Sequence, residues 1–193
     1  MEPVSTLYCW RHPKPKQVFG RCIGQTNCVI DPRQARRLAY RIQVFRRRYA
    51  LPKIIYTSDL QRCSAVGYVL KKLGWQHIVM PQFREMNFGS WEGRTWESIG
   101  QPAVDAWVAD FAHYRVGGAE STQLFLQRIQ LALAMLPRTA LLVAHAGVMR
   151  SASRLLGTNH FHERLHSQNW PVAPAYGELM IIEHHSKKDR NAD

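Results

Sequence analysis

The sequence predicts one α/β domain with a largely parallel sheet that is covered by helices on both faces. Its 193 residues are enough for one domain with a buried core and few for two. Its hydrophobic fraction of 46% is ordinary for a globular chain and exceeds what disordered chains contain. Strand-like segments alternate with segments of helical periodicity, which is the pattern typical of parallel sheets with crossover helices.

The individual strands and helices follow from this periodicity. The predicted strands cover residues 6–10, 53–57, 77–80, 140–144 and 178–183, and the predicted helices cover residues 32–48, 60–73, 103–111, 122–136 and 147–156. Asp31 and Pro32 are typical of a helix start, with Asp as the N-cap and Pro at the first helical position. Because no linker or repeat divides the chain, we expect one domain over residues 1–185 and a flexible polar tail over residues 186–193.

The sequence has no segment that is suited to cross a membrane. Its longest apolar run, residues 139–147, is much shorter than the roughly 20 residues of a transmembrane helix. The first residues lack the basic start and apolar stretch of a secretory signal. We therefore expect a cytoplasmic protein without a membrane partner.

The cysteine and histidine residues do not form a metal-binding pattern. The cysteines, which are Cys9, Cys22, Cys28 and Cys63, have no C-x-x-C pairing. His160 with His162, and His184 with His185, are close pairs without cysteine or carboxylate residues at ligand spacing. We expect reduced thiols, no metal and no other cofactor.

The strong positive charge indicates an anionic partner. A net charge of +12 suits either a nucleic-acid-binding protein or an enzyme with anionic substrates. Leu38, Ile42 and Phe45 recur at helical spacing in the predicted helix 32–48, which predicts an arginine-rich outer face. The arginines of this helix are Arg33, Arg36, Arg37, Arg41, Arg46, Arg47 and Arg48. We interpret the face as solvated, with RNA binding as the alternative.

Polar residues directly follow three of the predicted strands. Arg11 and His12 follow the first, residues 58–62 follow the second, and His145 follows the fourth. In open sheets of this kind, ligands bind beyond the carboxyl ends of the strands. We therefore expect these residues to converge on one site, although they are far apart in the sequence.

These residues provide the chemistry that hydrolysis of a phosphate monoester requires. Guanidinium groups match the oxygens of a phosphate dianion, and Arg11 and Arg62 can supply them. His12 is the candidate nucleophile, because neighbouring guanidinium groups favour the neutral imidazole that attacks phosphorus. The departing alkoxide needs a proton, for which Glu85 is the candidate donor. Taken singly, each residue also fits a structural role, and their joint occurrence favours catalysis.

His145 is the candidate residue that stabilises the phosphoryl group in the transition state. It ends the apolar run 141–144 and precedes Ala146 and Gly147. From this position its imidazole can donate to a phosphoryl oxygen. The backbone N–H groups of Ala146 and Gly147 favour the same anion if they open the next helix, so Ala146 is a predicted phosphate-binding residue.

Five short blocks occur in order along the chain. They are Trp10-Arg11-His12-Pro13, Ser58-Asp59-Leu60-Gln61-Arg62, the Arg84-Glu85-Met86-Asn87-Phe88-Gly89 stretch within residues 83–93, Gly117-Gly118-Ala119-Glu120-Ser121, and Val143-Ala144-His145-Ala146-Gly147-Val148. Together they resemble the histidine phosphatase superfamily, also called the phosphoglycerate mutase-like family. Each block alone is a weak signal, but the ordered set is specific.

The resemblance implies a fold and a role for each candidate residue. The implied fold is a three-layer α/β/α sandwich, which agrees with the alternation of strands and helices. His12 would be the phosphohistidine nucleophile and Glu85 the proton donor, while Arg11, Arg62 and His145 would form the phosphate pocket. The implied partner is a small phosphorylated metabolite, bound by a monomer or a homodimer without a cofactor.

One stretch resembles a particular subgroup of this family. Residues 20–27 are similar to the Gly-x-x-x-Gly-x-Thr-Asp signature of α-ribazole phosphatases, which release phosphate from α-ribazole 5′-phosphate during cobalamin biosynthesis. Gln25 and Thr26 are thereby predicted to bind substrate, and Trp107 with Asp110 also suits the subgroup. The alternatives are a broad-specificity sugar or nucleotide phosphatase and a phosphoglycerate mutase-like enzyme.

The chain departs from the family pattern beside the nucleophile. The usual glycine after the histidine is Pro13, which has a fixed φ and no N–H, so a backbone donor expected there would be lost. Lys14 and Lys16 stand in a loop where the family has an acid-and-amide run, and they could supply charge on the phosphate side. Asn27 replaces the Asp of the subgroup signature. A degenerate member without catalysis is therefore a further alternative.

Overall fold

A computed structural model describes residues 4–157 and 165–183 of the chain. The strands are β1 (Thr6–Arg11), β2 (Ile54–Thr57), β3 (Gln76–Val79), β4 (Thr139–Ala144) and β5 (Leu179–Glu183). The α-helices are α1 (Pro32–Arg48), α2 (Gln61–Lys72), α3 (Trp96–Ile99), α4 (Gln101–Ala109), α5 (Thr122–Ala134) and α6 (Ala146–Leu156). Short 3₁₀ turns lie at Pro81–Phe83, Gly89–Trp91, Val116–Gly118 and Ser167–Asn169.

The predicted strands and helices are confirmed, with small differences at their ends. α1 has the predicted bounds, because Pro32 opens it and the Asp31 carboxylate accepts the Arg33 backbone N–H at 2.8 Å. The short helix α3 has no counterpart in the prediction. Gly100, with a φ of 88°, separates it from α4. The predicted domain end and the tail 186–193 lie outside the described residues.

All strands belong to one sheet in the order β3-β2-β4-β1-β5. Neighbouring strands are parallel except for β5, which is antiparallel to β1. β1, β4 and β2 lie side by side, and Arg11 pairs in register with Ala144 while Thr57 pairs with Val143. The residues that follow these three strands therefore emerge at one edge of the sheet, as predicted.

Side chains of the central strands alternate between two hydrophobic cores. In β4, Leu141 and Val143 face the core that contains Leu38 of α1 and Leu70 of α2. Ala140, Leu142 and Ala144 face the opposite core, which contains residues of α5 and α6. The helices therefore cover both faces of the sheet, and the three-layer α/β/α sandwich is confirmed.

The structure adds two observations on membranes and metals. No helix in residues 4–157 and 165–183 combines the length and the apolar character that crossing a membrane needs. In the same ranges, no three His, Cys, Asp or Glu side chains are grouped so as to hold a metal ion. The pairs His160 with His162 and His184 with His185 lie outside these ranges.

Candidate active site

A cavity of about 450 Å³ lies at the carboxyl edge of the sheet. It is lined by five residues that sequence analysis selected, namely Arg11, His12, Arg62, Glu85 and Ala146. These residues come from separate parts of the chain: the end of β1, α2, the segment after β3 and the start of α6. The predicted convergence on one site is therefore seen, whereas His145, Gln25 and Thr26 do not line the cavity.

The imidazole of His12 is held in one orientation by the main chain. It is buried, and its Nδ1 lies 2.7 Å from the carbonyl oxygen of Pro13. Because a carbonyl only accepts, Nδ1 carries the proton and Nε2 keeps the lone pair of the neutral ring. Burial and the Arg62 guanidinium lower the pKa of His12 well below its ordinary value, outweighing the Pro13 contact, and Arg11 adds to this effect. The ring is thus neutral at neutral pH, as a nucleophile must be.

The same contact explains how proline is accommodated after the candidate nucleophile. Residue 13 contacts His12 through its carbonyl group, so this contact does not require the backbone N–H that proline lacks. The His12 backbone is fixed separately, since its N–H donates to the Ala144 carbonyl at 2.9 Å. Lys14 and Lys16 are exposed and do not line the cavity, so the structure does not place their charges beside the phosphate site.

Arg62 joins the phosphate site to a neighbouring loop. Its side chain is fully buried, with Nη1 donating to the Thr26 carbonyl at 2.7 Å and Nη2 donating to the Gly24 carbonyl. Its Nε donates to His145 Nδ1 at 3.1 Å. A guanidinium has five N–H groups. Three of them are used here, which leaves two N–H groups of a residue that lines the cavity.

Arg11 is positioned by the segment that precedes β5. Its Nη1 donates to the Pro174 carbonyl at 2.6 Å, and its guanidinium carbon lies 3.8 Å from the centroid of the Tyr176 ring. The Tyr176 ring also lies beside His12, with 5.6 Å between their centroids. Tyr176 was not among the predicted site residues, because no motif surrounds it and only the antiparallel pairing of β5 with β1 brings it to the site.

His145 lies directly behind His12 and is fully buried, with 5.1 Å between the ring centroids. Its Nδ1 accepts from Arg62, so the neutral ring carries its proton on Nε2 and donates to Ser58 Oγ at 2.8 Å. Burial, and then Arg62 and His12, lower the pKa of His145 well below its ordinary value. In this geometry, donation to a phosphoryl oxygen requires Ser58 to release Nε2 first.

The Glu85 carboxylate is fixed by two backbone N–H groups. Oε1 accepts from Met86 and Oε2 accepts from Gly147, each at 2.9 Å. The Gly147 N–H, which sequence analysis assigned to the phosphate, therefore holds the candidate acid instead. A Cβ at Gly147 would lie 2.1 Å from Glu85 Oε1, so this approach requires glycine. Ala146 remains a lining residue.

Glu92 organises the loop that contains Gln25 and Thr26. Its carboxylate accepts the backbone N–H groups of Gly24, Gln25 and Thr26 at 3.1, 2.7 and 3.0 Å, and it also accepts the Thr26 hydroxyl. Burial alone raises the pKa of Glu92, but these hydrogen bonds outweigh it and hold the pKa below its ordinary value. Gln25 and Thr26, which were predicted to bind substrate, thus shape the loop in this structure.

A partly buried ion pair fixes the segment that carries the candidate acid. Arg128 of α5 pairs with Glu120 at 2.9 Å and donates to carbonyl groups of the 82–85 segment. Glu120 also accepts the Asn87 backbone N–H at 2.9 Å. The Gly-Gly-Ala-Glu-Ser block therefore acts on the acid segment through Glu120. Sequence analysis gave Arg128 no role, since a lone arginine within a helix carries no signal.

Besides Tyr176, six aromatic side chains line the cavity. They are Phe88, Trp96, Trp107, Phe111, Phe125 and Trp170. Trp107 stacks on Phe111, with 5.6 Å between the ring centroids and 22° between the planes. Arg150 of α6 also lines the cavity and lies over the Trp170 ring. Burial lowers the pKa of Arg150 from its ordinary value, while Glu85 acts in the opposite direction.

Known proteins share this sequence pattern and architecture. The profile described as "Histidine phosphatase superfamily (branch 1)" matches residues 7–190. TTHB049 from Thermus thermophilus is 26% identical, with a TM-score of 0.66 over 91% of this chain and 92% of that chain. Phosphoglycerate mutase from the same organism is 26% identical, with a TM-score of 0.66 over 91% of each chain. The mycobacterial glucosyl-3-phosphoglycerate phosphatase Rv2419c is 25% identical, with a TM-score of 0.67 over 79% of each chain. A search of curated protein sequences gave no match.

Proposed function

Since the chain belongs to the histidine phosphatase superfamily, we propose that it hydrolyses phosphate monoesters through a phosphohistidine at His12. The observation that carries the proposal is the state of this ring. It is buried and neutral, its Nδ1 is fixed on the Pro13 carbonyl, and the charges of Arg62 and Arg11 oppose its protonation. This arrangement leaves Nε2 as the attacking nitrogen.

The reaction proceeds in two displacements at phosphorus. In the first, His12 Nε2 forms the P–N bond while the ester P–O bond breaks, and Glu85 gives its proton to the departing alkoxide. Arg11 and Arg62 bind the non-bridging oxygens and stabilise their charge. In the second, water attacks phosphorus, Glu85 accepts its proton and the P–N bond breaks, which regenerates His12 and releases inorganic phosphate.

We propose α-ribazole 5′-phosphate as the preferred substrate. Two observations support this choice: the resemblance of residues 20–27 to the α-ribazole phosphatase signature, and the aromatic side chains that line the cavity, which suit a leaving group that carries a benzimidazole ring. A broad-specificity phosphatase and a phosphoglycerate mutase-like enzyme are the alternatives. The structural neighbours named phosphoglycerate mutase and glucosyl-3-phosphoglycerate phosphatase make phosphoglycerate esters necessary members of any substrate panel.

Trapping of the intermediate tests the mechanism. Rapid quenching with a radiolabelled ester is expected to give an acid-labile phosphoenzyme in the wild type and in His113→Ala, a control on an exposed histidine. His12→Ala is expected to give neither label nor turnover. Full activity and labelling of His12→Ala would show that the mechanism is wrong.

A substrate panel tests the specificity. The panel contains α-ribazole 5′-phosphate, nucleoside monophosphates, sugar phosphates and 3-phosphoglycerate, and we expect the first to have the highest kcat/KM. Similar kcat/KM values for all esters would instead support the broad-specificity alternative. Isomerisation of phosphoglycerate without release of phosphate would support the mutase alternative.

The surface of α1 favours a second candidate function, binding of single-stranded RNA. Six of its arginines are exposed, namely Arg33, Arg36, Arg37, Arg41, Arg47 and Arg48, and the helix has no acidic residue. Tyr40 is exposed between them and could stack on a base. Fluorescence anisotropy with a labelled oligonucleotide tests this. Binding that weakens steeply with salt and survives His12→Ala supports it, and absence of binding at about 0.15 M salt excludes it.

A further inference from the structure

Four buried atoms around the cavity lack a hydrogen-bond partner among residues 4–157 and 165–183. They are Arg11 Nε, Arg150 Nε, Trp107 Nε1 and Thr122 Oγ1, and all four residues line the cavity. A buried polar group without a partner destabilises the folded state. Native structures contain few such groups, and each requires an explanation. Because all four residues line one cavity, a bound ligand that turns these side chains toward itself can supply the missing partners.

The four atoms fall into two chemical classes. The guanidinium atoms are charged, and they suit the phosphate dianion. Trp107 Nε1 and Thr122 Oγ1 are uncharged, and the indole N–H can only donate. The group that meets Trp107 is therefore a neutral or anionic acceptor, such as a ring nitrogen or a carbonyl oxygen.

The uncharged pair lies on the same side of the cavity as Glu85. Thr122 opens α5, and Phe125 lies one turn further along that helix. The Phe125 ring borders the contact between Glu85 and Gly147, since a Cβ at Gly147 would meet both Glu85 Oε1 and Phe125 Cε1. Trp107 packs edge-on against Phe88, three residues after Glu85, with 5.9 Å between the ring centroids. This is the side from which a departing alkoxide receives its proton.

The ring contacts of Trp107 are made with other aromatic side chains. Trp107 and Phe111 stack nearly parallel, and the Trp170 ring packs edge-on against Phe111. Valine would replace Thr122 at nearly equal volume, and phenylalanine would replace Trp107 with a smaller aromatic ring, in both cases without an unpaired polar atom. Polar atoms among aromatic side chains can select ligands, because a site with buried hydrogen-bonding groups rejects analogues that leave these groups unpaired.

We propose that Trp107 and Thr122 determine substrate specificity by binding hydrogen-bond acceptors on a planar aromatic leaving group. The inference rests on the proposed function, because it takes Glu85 as the group that protonates the leaving oxygen. Both atoms are shielded from bulk water. The Trp107 indole is only partly buried, so the inference requires this side chain to rotate on ligand binding until its N–H meets the acceptor.

The test compares two kinds of ester that differ in one ring atom. The esters are naphthylmethyl phosphate, which has no acceptor in its rings, and a set of quinolinylmethyl phosphates with the nitrogen at different ring positions. The variants are Thr122→Val, which removes the hydroxyl and keeps the shape, and Trp107→Phe, which removes the indole N–H and keeps a smaller aromatic ring. The matched controls are Trp75→Phe, whose indole N–H bonds Gln43 in the opposite core, and Thr139→Val at the amino end of β4.

We expect the wild type to prefer at least one quinoline ester over the naphthalene ester by about tenfold in kcat/KM, the equivalent of about 1.4 kcal/mol. Trp107→Phe or Thr122→Val is expected to abolish the preference, while both controls retain it. Because the preference is a ratio within one preparation, partial unfolding of a variant does not change it. No preference in the wild type, or an unchanged preference in both variants, overturns the inference.

The design also separates this inference from the proposed function. If His12→Ala hydrolyses the esters as well as the wild type, the phosphohistidine mechanism fails and the specificity assignment fails with it. If His12→Ala is inactive while Trp107→Phe and Thr122→Val keep the wild-type preference, only the specificity assignment fails.

Discussion

Replacement of Gly147 by alanine should displace the candidate acid Glu85 without a direct contact to the proposed nucleophile His12. The added Cβ would lie 2.1 Å from Glu85 Oε1, and ordinary contact begins at 3.4 Å, so the carboxylate must move by about 1.3 Å. Phe125 limits the space on the same side, since its Cε1 would lie 3.1 Å from that Cβ. Proton donation by a positioned acid contributes about 10²–10⁴-fold. We expect Gly147→Ala to lose about 10²-fold in kcat on alkyl phosphates.

The dependence on the leaving group distinguishes this effect from general damage. A nitrophenolate leaves without a proton, so kcat for 4-nitrophenyl phosphate should change far less in Gly147→Ala than kcat for an alkyl ester. Glu85→Gln should show the same pattern, and the double variant should lose little more than either single variant, because both changes act through one carboxylate. Equal losses on the two esters, or additive losses in the double variant, would refute the reasoning. Urea unfolding of each variant provides the control for stability.

Two further predictions concern ionisation and loop structure. The pKa values of His12 and His145 are well below their ordinary value, so the unfolded chain binds more protons than the folded one when the pH falls below about 6.5. The free energy of unfolding should therefore reach its full value above about pH 6.5 and decrease below it, which urea titrations at several pH values measure. The acid limb of kcat/KM should lie below about pH 6.5, which kinetics at the same pH values measure. Glu92→Gln places a neutral amide against the N–H groups of the 24–26 loop. We expect the free energy of unfolding to fall by about 1–3 kcal/mol and kcat/KM to decrease. An unchanged urea midpoint would show that the loop does not depend on this carboxylate.

The positions of His12 and of the strands were predictable because periodicity fixes where a buried strand ends. Arg11 and His12 come at the end of β1, and parallel pairing with β4 brings the segment of His145 beside them. The directions of the side chains were not predictable in the same way. The ring nitrogens of His145 contact Ser58 and Arg62 because of packing between β4 and α2, which periodicity does not describe.

The remaining parts of the site depend on long-range contacts that no local pattern records. Gln25 and Thr26 occupy the expected loop, but the groups they use are determined by Glu92, which is far along the chain. Tyr176 reaches Arg11 only because it directly precedes β5, which pairs antiparallel with β1. Motifs therefore located the loops and strand ends, and tertiary structure decided which atoms face the cavity.

The contact between Pro13 and His12 changes what a sequence search for this kind of site should require. The position supplies a main-chain carbonyl, which all amino acids have, so a pattern that insists on Arg-His-Gly rejects chains that orient the imidazole equally well. Proline also brings a property that glycine lacks. Its fixed φ removes one rotation beside the nucleophile in the unfolded chain, so less conformational entropy is lost when the strand end becomes ordered.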